Sequence, residues 1–153
     1  MEIEIQKGCN EYLNDCVEAL FGSDIGTTYF NHKERCIKAI EEALEEGVLY
    51  VALAEGICAG FIWYLPKGVF HSFPYLHITC IKSAYRGKGI GQKMIQFVEN
   101  LVFVNANKLF LVVGDFNPDA KRLYERIGYQ QVGILPNLYK DGVTEYLMMK
   151  KKP

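Results

Sequence analysis

Between residues 74 and 113 the chain changes its hydrophobic period twice. Pro74 to Ile81 is rich in β-branched and aromatic residues, as a buried strand is. Ile90, Met94, Val98 and Leu101, with Ile95 and Val102 alongside, then trace one face of a helix over residues 89–104. Lys108 to Val113 returns to a strand pattern. Strand, helix and strand of these lengths form a parallel crossover, because parallel neighbours cannot be joined by a tight hairpin. This unit restricts the chain to folds in which a sheet with a parallel pair is covered by helices.

The remaining segments fill in such a fold. Residues 2–6 alternate Glu-Ile-Glu-Ile-Gln, a half-buried strand. Residues 10–21 and 32–46 read as helices, the second with Cys36, Ile37, Ile40 and Leu44 on one face and Gly47 as its stop. Val48–Ala54 and Cys58–Leu65, joined by Glu55-Gly56-Ile57, predict a hairpin of well-buried strands, and Pro66-Lys67-Gly68 predicts a turn. Asn117-Pro118-Asp119 opens a short helix: Asn caps, Pro takes the first position, and Asp meets the positive end of the dipole. Gly128 ends it, and Tyr129–Leu135 and Glu145–Lys150 are the last strands, linked by an Asn137–Gly142 loop. The order is βααββββαβαβ-like, with one weakly marked strand around residues 69–73. The fold class is α/β (α+β), a mixed sheet with helices on its faces.

Composition bounds the function. With 153 residues, 50% hydrophobic and 23% charged, and no repeat or linker, residues 1–153 predict a single compact domain. A net charge of −1 argues against a general nucleic-acid binder. No run of 18 apolar residues is present, so no membrane partner is expected. Glu2 and Glu4 stand where an export signal would be basic and then apolar. The five cysteines (Cys9, Cys16, Cys36, Cys58 and Cys80) include no Cys-x-x-Cys, which predicts reduced, core-filling thiols and a cytoplasmic protein. His32, His71 and His77 lie near no suitable cysteine pair, so no metal is expected.

The segment that carries chemistry is Tyr85-Arg86-Gly87-Lys88-Gly89-Ile90-Gly91, between a buried strand and a helix start. Three alternating glycines leave the backbone open to close approach. The helix start offers unpaired N–H groups and a positive dipole end, and Arg86 and Lys88 add charge. Together they suit a diphosphate. Gln92 breaks the dinucleotide fingerprint G-x-G-x-x-G. Lys82 stands where the Walker pattern needs its first glycine, and no Ser or Thr follows Lys88. What remains is Arg-x-x-Gly-x-Gly.

Arg86 to Gly91 resembles the pyrophosphate loop of the GCN5-related N-acetyltransferases, which bind acetyl-coenzyme A. Residues 115–129, with Asn117, Ala120, Leu123, Tyr124, Gly128 and Tyr129, are similar to that family's Asn-x-x-Ala-x-x-Leu-Tyr-x-x-x-Gly-Tyr/Phe signature. The resemblance covers nearly the whole chain in element order and is specific mainly over residues 75–129. It implies a twisted mixed central sheet flanked by helices and splayed between two parallel strands, here residues 75–81 and 108–113. The pantetheine would pair with backbone groups at Thr79, Cys80 and Ile81, and Asn117 would contact it. The pyrophosphate would lie on Arg86, Gly87, Lys88, Gly89, Ile90 and Gly91. Ser83 stands where the family often has Pro, and Thr79 where an apolar residue is common; neither contradicts a grip made by the backbone.

The implied reaction moves an acetyl group to an amine, which must first be neutral. An alkylamine of pKa near 10.4 is only about 0.1% neutral at pH 7.4, so deprotonation costs about 4 kcal/mol. His77, on the strand before the loop, is the proposed base, direct or through water. It matches the place of a Glu in some family members. Tyr124 matches the family tyrosine that protonates the departing thiolate. Cys80 has no Cys-His-Asp surroundings in the sequence, so transfer is expected to be direct, in a ternary complex. On the acceptor side the family implies Asp24, Tyr29, Phe30, Tyr64, His71, Phe73, Tyr75 and Tyr139, an aromatic wall suited to a small cation. Whether the amine belongs to a small molecule or a protein stays open, and the apolar last strands allow a homodimer by analogy. The main rival is a protein of the same fold that binds an acyl-coenzyme A as a sensor and transfers nothing.

Overall fold

The computed structural model describes Met1–Pro153. Seven strands form one sheet in the order β1-β2-β3-β4-β5-β7-β6. They are β1 (Ile3–Lys7), β2 (Leu49–Ala54), β3 (Ile57–Val69), β4 (Phe73–Ile81), β5 (Lys108–Gly114), β6 (Gln130–Pro136) and β7 (Thr144–Lys151). Four helices accompany them: α1 (Leu13–Phe21), α2 (Lys33–Glu46), α3 (Ile90–Val102) and α4 (Pro118–Arg126). The expected mixed α/β sheet is therefore present, mostly antiparallel, with β4 and β5 as its parallel pair.

By its contacts the chain divides into two compact units. The first comprises Met1–Tyr64 and Ile78–Asn100. Its β1 and β2 pair antiparallel from Ile3↔Ala54 to Lys7↔Tyr50, and β2 pairs with β3 from Leu49↔Trp63 to Ala54↔Ile57. Glu55 and Gly56, both with positive φ, make the tight reversal between them. Cys16, Val17 and Leu20 of α1 and Cys36, Ile40 and Ala43 of α2 pack on Leu49, Val51, Phe61, Trp63, Ile78 and Cys80. Four of the five cysteines fill core as expected, and Cys9 is exposed. Gly60 lets β3 approach β4 closely: a Cβ there would stand 2.3 Å from the Cys80 carbonyl oxygen. Gly47 closes α2 in the left-handed conformation, φ 70°.

The first expected helix is split. Asn10–Tyr12 is a 3-10 turn, and α1 begins at Leu13. Past α1, Gly26–Phe30 forms a wide π-type turn, possible because Gly26 sits against the Leu20 carbonyl, where a Cβ would come within 2.0 Å.

The second unit comprises Leu65–His77 and Leu101–Pro153. Here β4 runs parallel to β5, with Tyr75↔Phe110 and Leu76↔Leu111 in register. β5 pairs with β7 from Lys108↔Lys151 to Gly114↔Glu145, and β6 pairs with β7 across an irregularity between Gln131 and Gly133. Leu109, Leu111, Val113, Tyr129 and Met148 are buried in it. The sequence places the hairpin turn wrongly. Pro66, Lys67 and Gly68 continue β3, and the chain reverses at Phe70 and His71, where Ser72 N–H donates to the Val69 carbonyl at 3.1 Å. Gly68 serves close packing instead of turning: a Cβ there would lie 2.7 Å from Tyr75 Cβ. Pro66 is exposed, which suits a proline with no N–H to give a ladder. The weakly marked strand at 69–73 is thus the end of β3, the turn and the first residue of β4.

Candidate active site

In the first unit the chain leaves β4 at Ile81 and enters α3 at Ile90 through the glycine loop. Ser83–Tyr85 forms one 3-10 turn, and Arg86 is extended. Gly87 and Gly89 have φ values of +74° and +78°, a conformation that side chains strain. A Cβ on either would meet nothing within 4 Å, and one on Gly91 would only touch Ile81 Cγ1 at 4.0 Å. No packing demand explains these glycines; they set the backbone conformation and leave its polar groups uncovered. The N–H groups of the first turn of α3 have no intrahelical acceptor, and the dipole there favours an anion. The loop therefore fits a diphosphate, as the sequence suggests.

Two basic residues beside the loop hold it in place. Arg86 donates from Nε to the Ile81 carbonyl at 3.0 Å and from Nη2 to the Gly22 carbonyl at 3.2 Å, tying the loop to the end of α1. Lys82 Nζ lies 2.6 Å from Asp15 Oδ1 and 3.4 Å from Glu18 Oε2, both on α1. The Lys82 N–H also donates to the Ala59 carbonyl at 2.8 Å. The sequence presents Arg86 as charge for a ligand; the structure gives it carbonyl partners of its own. Lys88 stands with its ammonium 5.9 Å from the Tyr85 ring centre.

Upstream on β4, Thr79 has a buried hydroxyl with no hydrogen-bond partner. An orphaned hydroxyl costs about 1–3 kcal/mol, and such a group is retained most readily where a ligand completes it. Cys80 turns its thiol into the core, 3.5 Å from Ser23 Oγ, and burial pushes its pKa up to about 12. A protonated, buried thiol is a poor nucleophile, which agrees with direct transfer. Cys80 would therefore contribute only backbone groups, as would Ile81, whose carbonyl already accepts from Arg86.

The second unit carries the other expected residues. Asn117 Oδ1 accepts from the Ala120 N–H at 3.3 Å, so the cap forms as read, with Pro118 in the first turn. Tyr124 is half-buried on α4, its ring edge-on to Tyr129 at 5.9 Å between centres. The Tyr124 carbonyl accepts from the Tyr129 N–H at 2.9 Å, just past Gly128 with φ 108°. His77 lies next to Tyr75, ring centres 5.6 Å apart. Burial pulls its pKa down from 6.5 to about 4, so its imidazole is neutral at physiological pH. Glu145 is buried in this unit, and the sequence offers no sign of it, since a glutamate at a strand start reads as solvent-facing.

A strand-to-helix loop open to a diphosphate, followed by a capped helix carrying Asn117 and Tyr124, is the arrangement the sequence resemblance implies. The family model described as the acetyltransferase (GNAT) family matches residues 11–129, and the chain belongs to that family. Among its relatives is an uncharacterised N-acetyltransferase of Methanocaldococcus jannaschii, 41% identical over 106 residues. That match covers 68% of this chain and 66% of the relative, just under two thirds of its length. Of solved structures, a GNAT-family acetyltransferase from Bacillus cereus aligns over 100% of this chain and 99% of its own, with TM-score 0.82 and 18% identity. The PaiA N-acetyltransferase of Thermoplasma acidophilum, solved with coenzyme A, aligns over 99% of both chains, with TM-score 0.71 and 20% identity. In this chain, no helix is long and apolar enough to cross a membrane, and no group of three or more His, Cys, Asp or Glu could hold a metal ion.

Two outcomes follow from the burial of these polar groups. Thr79→Val should stabilise the ligand-free protein by about 1 kcal/mol, because it removes an unsatisfied hydroxyl. Urea unfolding measures this, and an unchanged or lower midpoint would show that Thr79 already has its partner. The neutral state of His77 predicts an acid-sensitive fold. Between pH 6.5 and 4 the unfolded chain binds a proton there that the folded chain does not, so stability falls as pH falls through that window. The loss should reach about 3 kcal/mol below pH 4, and His77→Gln should remove most of it. Equal acid slopes for both proteins would contradict this.

Proposed function

We propose that the protein is an N-acetyltransferase that moves the acetyl group of acetyl-coenzyme A to a primary amine, by direct attack in a ternary complex. The observation that carries this reading is the loop Arg86–Gly91, with two left-handed glycines, open backbone and a helix start, next to the unsatisfied Thr79 hydroxyl. The coenzyme A complex of the Thermoplasma acidophilum relative supports the choice of ligand. Residues 1–153 then act as one acetyltransferase domain.

In this reading Gly87, Lys88, Gly89, Ile90 and Gly91 give backbone N–H groups to the pyrophosphate, and Lys88 adds charge. Arg86 holds the loop in shape through its two carbonyl partners. Thr79, Cys80 and Ile81 line the pantetheine with backbone groups, the Thr79 hydroxyl completing one hydrogen bond. Asn117 keeps its amide nitrogen for the same chain, since the cap uses only Oδ1.

The neutral amine nitrogen forms a bond to the acetyl carbon while the carbon–sulfur bond breaks. Tyr124 donates its hydroxyl proton to the leaving thiolate, whose conjugate thiol has a pKa near 8.5. The proton shed by the amine passes to His77 or to water. A His with pKa of about 4 is a weak base, so it serves best as a relay through water or with an amine that is already neutral. Such a base loses its function only below about pH 4, well under the acid limb of an unperturbed histidine.

Tyr124→Phe is the direct test. Turnover should drop by roughly ten- to a thousandfold with little change in acetyl-coenzyme A affinity. Full activity in that variant would end the acid assignment. Acetyl-coenzyme A binding without transfer to any member of a broad amine panel would replace the enzyme by an acyl-coenzyme A sensor.

A further inference from the structure

Two thiols of the first unit have no task in the reaction above, and a break in the sheet brings them together. Between Ala52 and Leu53 the pairing of β2 with β3 slips by one residue. Ala52 faces Gly60, but Leu53 faces Cys58, so Ala59 is an extra residue in β3. Such a bulge re-aims the side chains beyond it. Phe61 packs in the core beneath α1 and α2, and strict alternation from there would turn Cys58 to the other side of the sheet. The bulge turns it towards α1 instead, where it is buried in one cluster with Cys16. The two thiols are hydrogen-bonded to each other, with Cys16 as donor. Cys58 Sγ also lies 3.7 Å from the Gly60 carbonyl oxygen.

The surroundings are polar for a core. The charges of Asp15 and Lys82 are felt at both thiols. The Cys16 S–H holds the Cys58 thiol below its ordinary pKa, against the effect of burial, and Cys16 is raised in turn. Cys58 is therefore the better nucleophile of the two. It follows Ile57, which is 55% exposed at the end of the hairpin, so it lies one residue in from solvent. Each thiol is also one residue away from a support of the glycine loop. Asp15, before Cys16, holds the Lys82 ammonium at 2.6 Å, and Ala59, after Cys58, accepts from the Lys82 N–H at 2.8 Å.

We propose that Cys16 and Cys58 are an oxidation site, closed to a disulfide by hydrogen peroxide, and that the bridge weakens the hold of the Arg86–Gly91 loop on its anion. In the first step the Cys58 thiolate attacks one peroxide oxygen and the O–O bond breaks. Cys58 becomes a sulfenic acid, and the other oxygen leaves as water with the proton that the thiol gave up. In the second step the Cys16 sulfur attacks the Cys58 sulfur and the S–O bond breaks. The hydroxyl leaves with the Cys16 proton as a second water. Two electrons pass from the sulfurs to the peroxide, so two thiols and one peroxide give one disulfide and two waters. A covalent bond is shorter than a contact between thiols, so closing it draws α1 towards β3 and moves Asp15 against Lys82. The oxidation site stands apart from the acetyltransferase reading, and only its effect on the loop rests on that reading.

The test exposes the reduced full chain to millimolar hydrogen peroxide, blocks the remaining thiols with N-ethylmaleimide under denaturing conditions, and maps the peptides by mass spectrometry. Trypsin with a glutamate-specific protease puts each of the five cysteines on its own peptide. The expected product links residues 12–18 to residues 56–67, with Cys36 and Cys80 blocked as free thiols. Cys16→Ala should leave Cys58 as a sulfenic acid that dimedone labels, and Cys58→Ala should leave Cys16 unlabelled. In the bridged wild type the affinity for acetyl-coenzyme A, read from the thermal shift over a range of ligand, should fall by roughly fivefold or more, the usual scale of coupling between two sites. Dithiothreitol should restore it, and Cys58→Ala should show no such change. Free Cys16 and Cys58 after treatment, or a bridge to another cysteine, would overturn the site. A bridge that leaves the affinity unchanged would overturn its effect on the loop. Should a variant fail to fold, the peptide map of the wild type and the reversal by dithiothreitol still decide. Should the reduced protein show no shift with acetyl-coenzyme A, the coenzyme reading fails together with the effect on the loop, and the peptide map decides the oxidation site.

Discussion

The passage of the backbone from β4 into α3 is the constraint on which the candidate site depends. It must turn within a few residues, present N–H groups outward and stay rigid without covering them. Gly87 and Gly89 supply the turn through positive φ. Rigidity comes from two side chains just before them, Lys82 paired with Asp15 and Arg86 bound to the Ile81 and Gly22 carbonyls. An anion site built from backbone groups loses little on binding if the backbone is already in place. The two basic residues thus act on the loop shape, and Lys88, beside the Tyr85 ring, is the loop's remaining cation.

Burial holds two titratable side chains of β4 in their neutral forms: His77 by a pKa near 4 and Cys80 by one near 12. The Tyr75 hydroxyl is likewise kept protonated.

Local features were legible in the sequence and long-range ones were not. The glycine loop and the Asn117 cap are decided within three to seven neighbouring residues, so their conformations follow from the residues themselves. The parallel pair β4–β5 followed from the change of period. Pro66-Lys67-Gly68 has turn composition, but packing of Gly68 on Tyr75 keeps it in β3 and moves the reversal to Phe70 and His71, where a bulky Phe takes a left-handed conformation it rarely adopts. The burial of Glu145 depends on its register with Gly114, two strands that are adjacent in space and far apart in sequence. The partners of Arg86 come from the residue capping α1 and from β4, and a charge pattern alone cannot tell a clamp from a ligand contact.

The central claim is that the Arg86–Gly91 loop belongs to an acetyl-coenzyme A site, and thermal unfolding with acetyl-coenzyme A beside ATP and NAD tests it most directly. At ligand about 100-fold above its dissociation constant the account predicts about 2.7 kcal/mol of stabilisation. For a chain of this size that is a rise in Tm of roughly 5–11 °C, given by acetyl-coenzyme A and not by the two nucleotides. No shift at millimolar acetyl-coenzyme A, or an equal shift with ATP or NAD, would contradict it.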